Sequence, residues 1–488
     1  MELRKKIGLL LGPLFFLGAY FSPLLKENPK AHTLLAIFLL IVVWWVTECI
    51  PIPITALLVP VFITAFRVAP VKEAFAPFAN PIIMLFLGSF ILARAMSVHA
   101  LDQKLAYFVL SRKSIAHKRS RVLFALGLTA VFLSMWISNT ATTAMMYPIV
   151  LGILSAFNSE KKERAVSSLS LIFLMMTAYS ASVGGIGTPI GSPPNLIAIG
   201  MLEKLAAYRV TFFQWMVIGL LILIPMYLAL FLFMRLMMGR KKIPLQDKKD
   251  SSSAIKTRPR GLTRPQRNVL IAFSVTVFLW TVPGLISLIL GREAHLSLWL
   301  REHFPESAAA IIGASLLFIL PVNFKQGRFT LSLKEALRID WGTLLLFGGG
   351  LSLGFQMFET GLADSIGRFF ISPGTSASLS LITLLSITLS VFLTEVTSNT
   401  ASANMIIPII IAISKTASIN PLAPVLGSAI GCSFAFMLPV ATPPNAIVFG
   451  SGLVPLTEMI KFGFWLNIIG IIIIWIGIRF IAPFLGLI

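Results

Sequence analysis

The chain has 488 residues, of which 57% are hydrophobic and only 12% charged, and its mean hydropathy is +0.89. Soluble domains carry about 25% charged residues and need a polar face on most helices, which few segments here possess. The net charge of +21 would suit a nucleic-acid binder. The basic residues instead sit where membrane proteins place them, on cytoplasmic loops, which excludes that class.

About ten apolar stretches approach the roughly 20 residues that a bilayer-spanning helix needs, for example 36–46, 216–234 and 464–478. The basic start at Arg4, Lys5 and Lys6 followed by an apolar run resembles a signal peptide. It lacks a small-residue cleavage site and is broken by Pro13 and Pro23, so it is read as a retained first helix. The positive-inside rule then orders the loops. Segment 26–30 lies outside, the proline-rich turn 51–53 inside, and 67–73 outside. Arg112, Lys113, Lys118, Arg119 and Arg121 return inside, and the apolar segment 122–157 ends in a charged patch at 160–164 on that same side. Next come 203–209 outside, 240–267 inside, 291–306 outside, 325–338 inside and 372–377 outside.

The 240–267 stretch holds ten Lys or Arg against two Asp around a serine-rich centre. It is read as a cytoplasmic linker (240–266) between a first half, 1–239, and a second, 267–488. On this count about 27 of the 40 basic residues face the cytoplasm. The expected architecture is an all-α polytopic membrane protein with eleven crossings and two hairpins, its N-terminus cytoplasmic and its C-terminus outside. Short loops favour a bacterial inner membrane.

An internal duplication carries the chemistry. SNTATTAMMYPI at 138–149 recurs as SNTASANMIIPI at 398–409. GTPIGSPPNLIAIG at 187–200 recurs as VATPPNAIVFGSG at 440–452, and LFLGSFILARAM at 85–96 is echoed at 346–357. The offsets are 260, 250 and 261 residues, so ordered copies of one unit are present. On the loop assignment the first copy enters from the cytoplasm and the second from outside. That is an inverted repeat, with broken helices at about 166–207 and 421–457. Two complete crossings would give the same sidedness at about 122–157 and 378–416, but the polar tripeptide in the middle of each segment argues for re-entrant hairpins. Such repeats bind substrate at the bilayer midplane, between broken helices. A non-helical tip at that depth is tolerated only where it lines a protein-enclosed cavity.

The half-helix after each tripeptide presents free N–H groups and its positive dipole end to an anion. Asn adds amide donors, Ser and Thr add hydroxyls, and neither tripeptide contains Arg or Lys, so an anion held there can leave again. Pro189, Pro193, Pro194, Pro443 and Pro444 break helix geometry and free carbonyls near Gly191 and Ala441 for a hard cation such as sodium. Ser134 and Thr394 each precede a motif serine by four residues, one turn on the same helical face, which predicts a hydroxyl ladder beside each tip.

These paired motifs resemble the signatures of the divalent anion/sodium symporter family over nearly the whole chain. The resemblance implies a homodimer with a scaffold and an elevator-type transport domain, and substrates such as succinate, malate, fumarate or citrate. It implies one sodium site at Ser134, Ser138, Asn139 and Gly191 and another at Thr394, Thr397, Asn399 and Ala441. The anion would meet Asn139, Thr140, Ser192 and Pro193 with Ser398, Asn399, Thr400, Thr442 and Pro443. The family also contains sodium-independent exchangers, often altered in the second tripeptide; here both copies are intact, which favours symport.

Glu395, three residues before Ser398, has Met135 as its repeat counterpart; it is read as a hairpin anchor, a cation-site tuner or a proton carrier. Asn404 leaves substrate choice open. Asp364 and Arg368 have the spacing of a local ion pair, and Glu48, Arg94 and the Asp102–Lys104 couple are read as structural. The five His show no metal-ligand spacing, the two Cys imply no disulfide framework, and no phosphate loop, nucleophile elbow or zinc-protease motif is present, so no enzyme is expected. Moving a dianion into a negative-inside cell costs about 4.6 kcal/mol at 100 mV, so uptake needs cotransported cations. Sodium-driven carboxylate uptake is the expected function. A dicarboxylate exchanger, a sulfate symporter and an anion channel are the alternatives.

Overall fold

The computed structural model describes residues 3–111, 119–157, 163–238, 261–291, 293–371 and 378–484. The basic patch at 112–118, most of the linker and the 372–377 loop lie outside the described residues. The first half contains α1 (Leu3–Tyr20), α2 (Pro29–Thr47), α3 (Ile52–Ala65), α4 (Val71–Phe75), α5 (Pro81–Val98) and α6 (Leu101–Leu110). It continues with α7 (Arg119–Ser134), α8 (Asn139–Phe157), α9 (Glu163–Gly184), α10 (Pro193–Ala206) and α11 (Phe212–Met237). The second half begins with α12 (Arg264–Leu290), α13 (His295–His303), α14 (Glu306–Ile319), α15 (Leu333–Ala336), α16 (Trp341–Glu359) and α17 (Leu362–Phe370). It ends with α18 (Leu379–Val396), α19 (Asn399–Thr416), α20 (Leu422–Gly431), α21 (Pro443–Phe449) and α22 (Leu456–Phe484).

Among the described residues six helical segments are long and apolar enough to cross a membrane, and four shorter apolar helices accompany them. Their outer surfaces are greasy. On α11, Leu221, Ile224, Leu228 and Leu232 form an exposed stripe at helical spacing, while Ile218, Ile222, Met226 and Leu230 are buried. In water such a stripe would drive association; in lipid it is at equilibrium. The chain is a multi-pass membrane protein.

One succession of elements occurs twice. Helix α5 ends at Ala100 in the left-handed conformation (φ +50°) and turns into the short α6. Helix α16 ends likewise at Gly361 (φ +75°) and turns into α17, 261 residues later. Each is followed by a helix pair, α7–α8 or α18–α19, then by an interrupted helix, α9–α10 or α20–α21, and then by a long helix, α11 or α22. The two halves interlock: α10 packs on α19 and α20, while α21 packs on α8 and α9. Each interrupted helix thus leans on the other half's helix pair, which gathers both tips and both interruptions into one region.

The all-helical expectation needs one correction. Pro321–Asn323 and Arg328–Phe329 pair as a small antiparallel ribbon, closed by Gly327 at φ +61°. Left-handed Gly suits a tight reversal between two short extended runs. The predicted local pair is corrected as well, since Asp364 and Arg368 form no ion pair among the described residues; Asp102 and Lys104 do not pair with each other either. Asp102 instead accepts from Ser97 and the Gln103 N–H, and Lys104 donates to Gln266 and the Gly261 carbonyl. Arg4 pairs with Glu48, and Arg209 with Glu306.

Candidate functional site

Helix α7 stops at Ser134, residues 135–138 leave the helix, and α8 starts at Asn139. The Ser138 hydroxyl accepts the Ala141 N–H at 3.2 Å, so the tripeptide serine is an N-cap and Asn139 is the first helical residue. The second copy repeats this, with Ser398 accepting the Ala401 N–H at 3.2 Å and Asn399 opening α19. Serine is among the residues best suited to that position, because its oxygen satisfies an otherwise free N–H.

The proline elements also match. Ser192 (φ −143°, ψ 135°) precedes Pro193 at the start of α10, and Thr442 (φ −143°, ψ 147°) precedes Pro443 at the start of α21. Proline forces its predecessor into the extended region and is itself ready-made for the first turn. The next asparagine closes each loop. Asn195 Nδ2 donates to the carbonyls of Gly185 (2.9 Å) and Thr188 (2.8 Å), and Asn445 Nδ2 to those of Ala435 (2.9 Å) and Leu438 (3.0 Å). All three pairs of equivalent positions are 250 residues apart. Both asparagines are wholly buried.

Two oxygen clusters lie under the tips. In the first, Ser134 Oγ donates to Asn139 Oδ1 at 2.6 Å. A Cβ added at Gly185 would fall 2.6 Å from Asn139 Oδ1, and one at Gly191 would fall 2.6 Å from the Gly185 carbonyl oxygen and 3.0 Å from that of Ser134. The Gly pair therefore lets four oxygens, from Ser134 (two), Asn139 and Gly185, crowd around one spot. In the second cluster Thr394 Oγ1 lies 2.8 Å from Asn399 Oδ1 and 2.9 Å from the Cys432 carbonyl oxygen. A hydroxyl has one proton, so two acceptors cannot both be fully served. Converging oxygens short of protons suit a hard cation, which prefers oxygen ligands.

The remaining sequence-predicted residues fall into two layers. Ser134, Gly191, Thr394, Thr397 and Ala441 are buried, whereas Ser138, Thr140 and Pro443 are exposed and Asn139, Pro193, Ser398, Asn399 and Thr400 are half-buried. Buried oxygens thus lie beneath more accessible residues at the helix N-termini, although Ser138 of the expected cation set is exposed and Ser192 and Thr442 of the expected anion set are buried. Gly191 and Ala441 sit in equivalent turns, with N–H groups donating to Thr188 (3.3 Å) and Leu438 (3.2 Å). The Ser192 and Ser433 hydroxyls meet at 2.9 Å and join the two halves. Thr442 keeps a buried hydroxyl with no hydrogen-bond partner among the described residues. The structure does not bring the Thr397 hydroxyl to its cluster; it donates to the Trp45 carbonyl at 3.3 Å. Asn404 is buried and donates to the Thr400 carbonyl.

The same-face rule for Ser134 and Thr394 is corrected. The chain leaves the helix before the motif serine, so each hydroxyl reaches the following asparagine, five residues on, rather than the serine four residues on. Sequence reasoning also missed Asn195, Asn445, Ser433 and the Cys432 carbonyl. The two asparagines were signalled by the repeated Pro-Pro-Asn; Ser433 faces Val183 in the repeat and left no such trace. A cavity of about 570 Å³ touches the first loop at Pro189, but neither tripeptide lines it, so it is separate from these clusters.

The chain is 34% identical over 488 aligned residues (98% of the chain, 91% of the relative) to the sodium-dependent dicarboxylate transporter SdcS of Staphylococcus saprophyticus. It is 33% identical, with the same shares covered, to SdcS of Staphylococcus aureus, and 38% identical to an uncharacterized transporter of Haemophilus influenzae (92% of each chain). The fold is shared with the YdaH transporter of Alcanivorax borkumensis at a TM-score of 0.58 and 15% identity, covering 98% of this chain and 99% of that one. It is likewise shared with MtrF of Neisseria gonorrhoeae at 0.58 and 15%, covering 98% and 94%. Residues 7–488 match the family model described as the sodium:sulfate symporter transmembrane region, and the chain belongs to that family of transporters, the divalent anion/sodium symporters.

Proposed function

We propose that this protein is a sodium-coupled carrier that takes up C4-dicarboxylates (succinate, malate, fumarate) or citrate by alternating access. The observation that carries this reading is the pair of matched hydrogen bonds, Ser134 to Asn139 and Thr394 to Asn399. In each, a buried oxygen cluster is tied directly to the first residue of a half-helix. Sodium bound below would fix the asparagine carbonyl oxygen and turn its amide donors toward a carboxylate above, so that each ligand improves the site for the other. The names of the staphylococcal relatives support sodium and dicarboxylate as the pair.

The first sodium set is Ser134, Ser138, Asn139 and Gly191, and the second Thr394, Thr397, Asn399 and Ala441, with Thr397 acting through groups other than its hydroxyl. The anion is held by Asn139, Thr140, Ser192, Pro193, Ser398, Asn399, Thr400, Thr442 and Pro443. The halves 1–239 and 267–488, joined by the 240–266 linker, form an inverted repeat whose helix pairs α7–α8 and α18–α19 are re-entrant from opposite faces. These pairs, with the interrupted helices, α11 and α22, make up an elevator-type transport body that moves against a dimeric scaffold. The bacterial inner membrane, with the N-terminus cytoplasmic and the C-terminus outside, is the setting.

Uptake of labelled succinate into proteoliposomes, with and without an inward sodium gradient, tests the reading. Concentrative, sodium-dependent uptake is expected. Equal counterflow without sodium would replace it with the exchanger. The family description names sulfate, so competition by sulfate as strong as that by malate would replace carboxylate with sulfate as the substrate.

A further inference from the structure

Glu395 follows Thr394 directly and is 3% exposed. Its Oε1 accepts the N–H groups of Phe436 (2.8 Å) and Met437 (2.9 Å) and Nδ2 of Asn467 (2.7 Å), and its Oε2 accepts the Leu438 N–H (3.1 Å). All four partners donate. Three successive amides turned to one side form a nest for an anion, and a buried carboxylate is tolerated only when donors of this kind satisfy it. The flanking carbonyls of Ala435 and Leu438 turn the other way, to Asn445, so the segment is gripped from both sides. That segment connects the Cys432 carbonyl, which meets Thr394, to Ala441. Glu395 therefore holds the middle of a loop that begins at the Cys432 carbonyl of the second oxygen cluster and ends at Ala441 of the proposed second sodium set. The first loop has no such grip: Met135 stands in the place of Glu395, and the N–H groups of Ile186 and Gly187 bond within the loop to Val183 and Gly184.

We propose that Glu395 is a positioning residue for the second cation pocket, its carboxylate shaping the loop 432–441 so that the Cys432 and Ala441 groups face Thr394 and Asn399. This rests on the sodium-coupled reading and assigns Glu395 no contact with substrate. The buried negative charge also favours a cation nearby, which distinguishes it from a neutral staple.

The test uses the full chain in proteoliposomes and compares wild type with Glu395→Gln and Glu395→Asp. For each, the half-activating sodium concentration and the succinate KM at saturating sodium are measured. Loss of a charge with several hydrogen bonds raises the sodium constant of Glu395→Gln about tenfold or more, while the succinate KM moves less than about twofold. Glu395→Asp falls in between, because a shorter carboxylate still reaches part of the nest. An unchanged sodium constant in folded Glu395→Gln overturns the proposal. So does an equal rise in both constants, which marks general damage to the fold. If Glu395→Gln does not fold, Asn467→Leu, which removes one donor, is measured in the same way. A rise in its sodium constant of about threefold or more supports the proposal, and no change overturns it. Sodium-independent uptake by wild type would fail the parent reading, whereas the ratio of variant to wild type judges Glu395 alone.

Discussion

At the first tip the backbone carbonyl of Met135 accepts the Thr188 hydroxyl, whereas at the second the Glu395 carboxylate accepts three backbone N–H groups of the facing loop. The loop donates in both halves, but main chain and side chain exchange roles: in the first half the loop gives a side-chain proton to the tip's main chain, and in the second it gives main-chain protons to the tip's side chain. One contact that the support holds is the same on both sides. A hydroxyl meets an asparagine oxygen at 2.6 Å in one copy and 2.8 Å in the other. Even the apex carbonyls agree, since Ile186 O accepts Trp215 Nε1 and Phe436 O accepts Tyr179 OH. A helix glycine is pressed against each apex, Gly219 and Gly463, where an added Cβ would lie 2.3 Å from the carbonyl oxygen. The contact between hydroxyl and asparagine is kept while the means of holding it has diverged, as expected when folding accepts any satisfied hydrogen bond.

The comparison can be broken most severely at the asparagines. Asn139→Ala and Asn399→Ala each remove an oxygen from a proposed cation cluster and an amide from the proposed anion site; succinate uptake should fall at least about a hundredfold. The purified proteins should still run as folded species on size-exclusion chromatography, and near-normal uptake by both would refute the matched-site reading. Next come Gly219→Ala and Gly463→Ala, where overpacking against a carbonyl costs about 1–3 kcal/mol. Thermal unfolding in detergent should show similar losses for the two; a loss confined to one would mean that the apexes are not equivalent.

Ser134→Ala and Thr394→Ala should each raise the half-activating sodium concentration about tenfold, measured by uptake across a sodium series. A change in only one of them would leave a single functional cation site. Thr188→Val removes the hydroxyl grip of the first tip and should cost about 1 kcal/mol of stability in a thermal unfolding assay, whereas Leu438→Val, at the equivalent position, removes no side-chain bond. Ser433→Ala, which cuts the single hydroxyl contact to Ser192, should have the smallest effect, raising the succinate KM by about fivefold at most.

Much of the site was legible because it is written twice. The breaks at Ser138 and Ser398 and at Pro193 and Pro443 follow from serine capping and from proline's missing N–H, and repetition identified which occurrences mattered. Helical periodicity placed Ser134 and Thr394 beside the tips but named the wrong partner, because periodicity ceases where the helix does. The grip of Glu395 on residues 436–438 joins positions 41–43 apart in the chain with no repeat counterpart, and the Thr397 bond to Trp45 spans 352 residues. Such contacts follow from how the two halves interlock, which no local pattern encodes. The ribbon at 321–329 escaped for the opposite reason: its strands are too short to show alternation.

The most direct test of two matched cation clusters serving one anion is the sodium dependence of the initial succinate uptake rate in wild-type proteoliposomes. Two coupled sites give a sigmoidal curve with a Hill coefficient above one, and saturating succinate shifts it to lower sodium. A hyperbolic curve that succinate does not shift, or uptake indifferent to sodium, would contradict the matched-site mechanism.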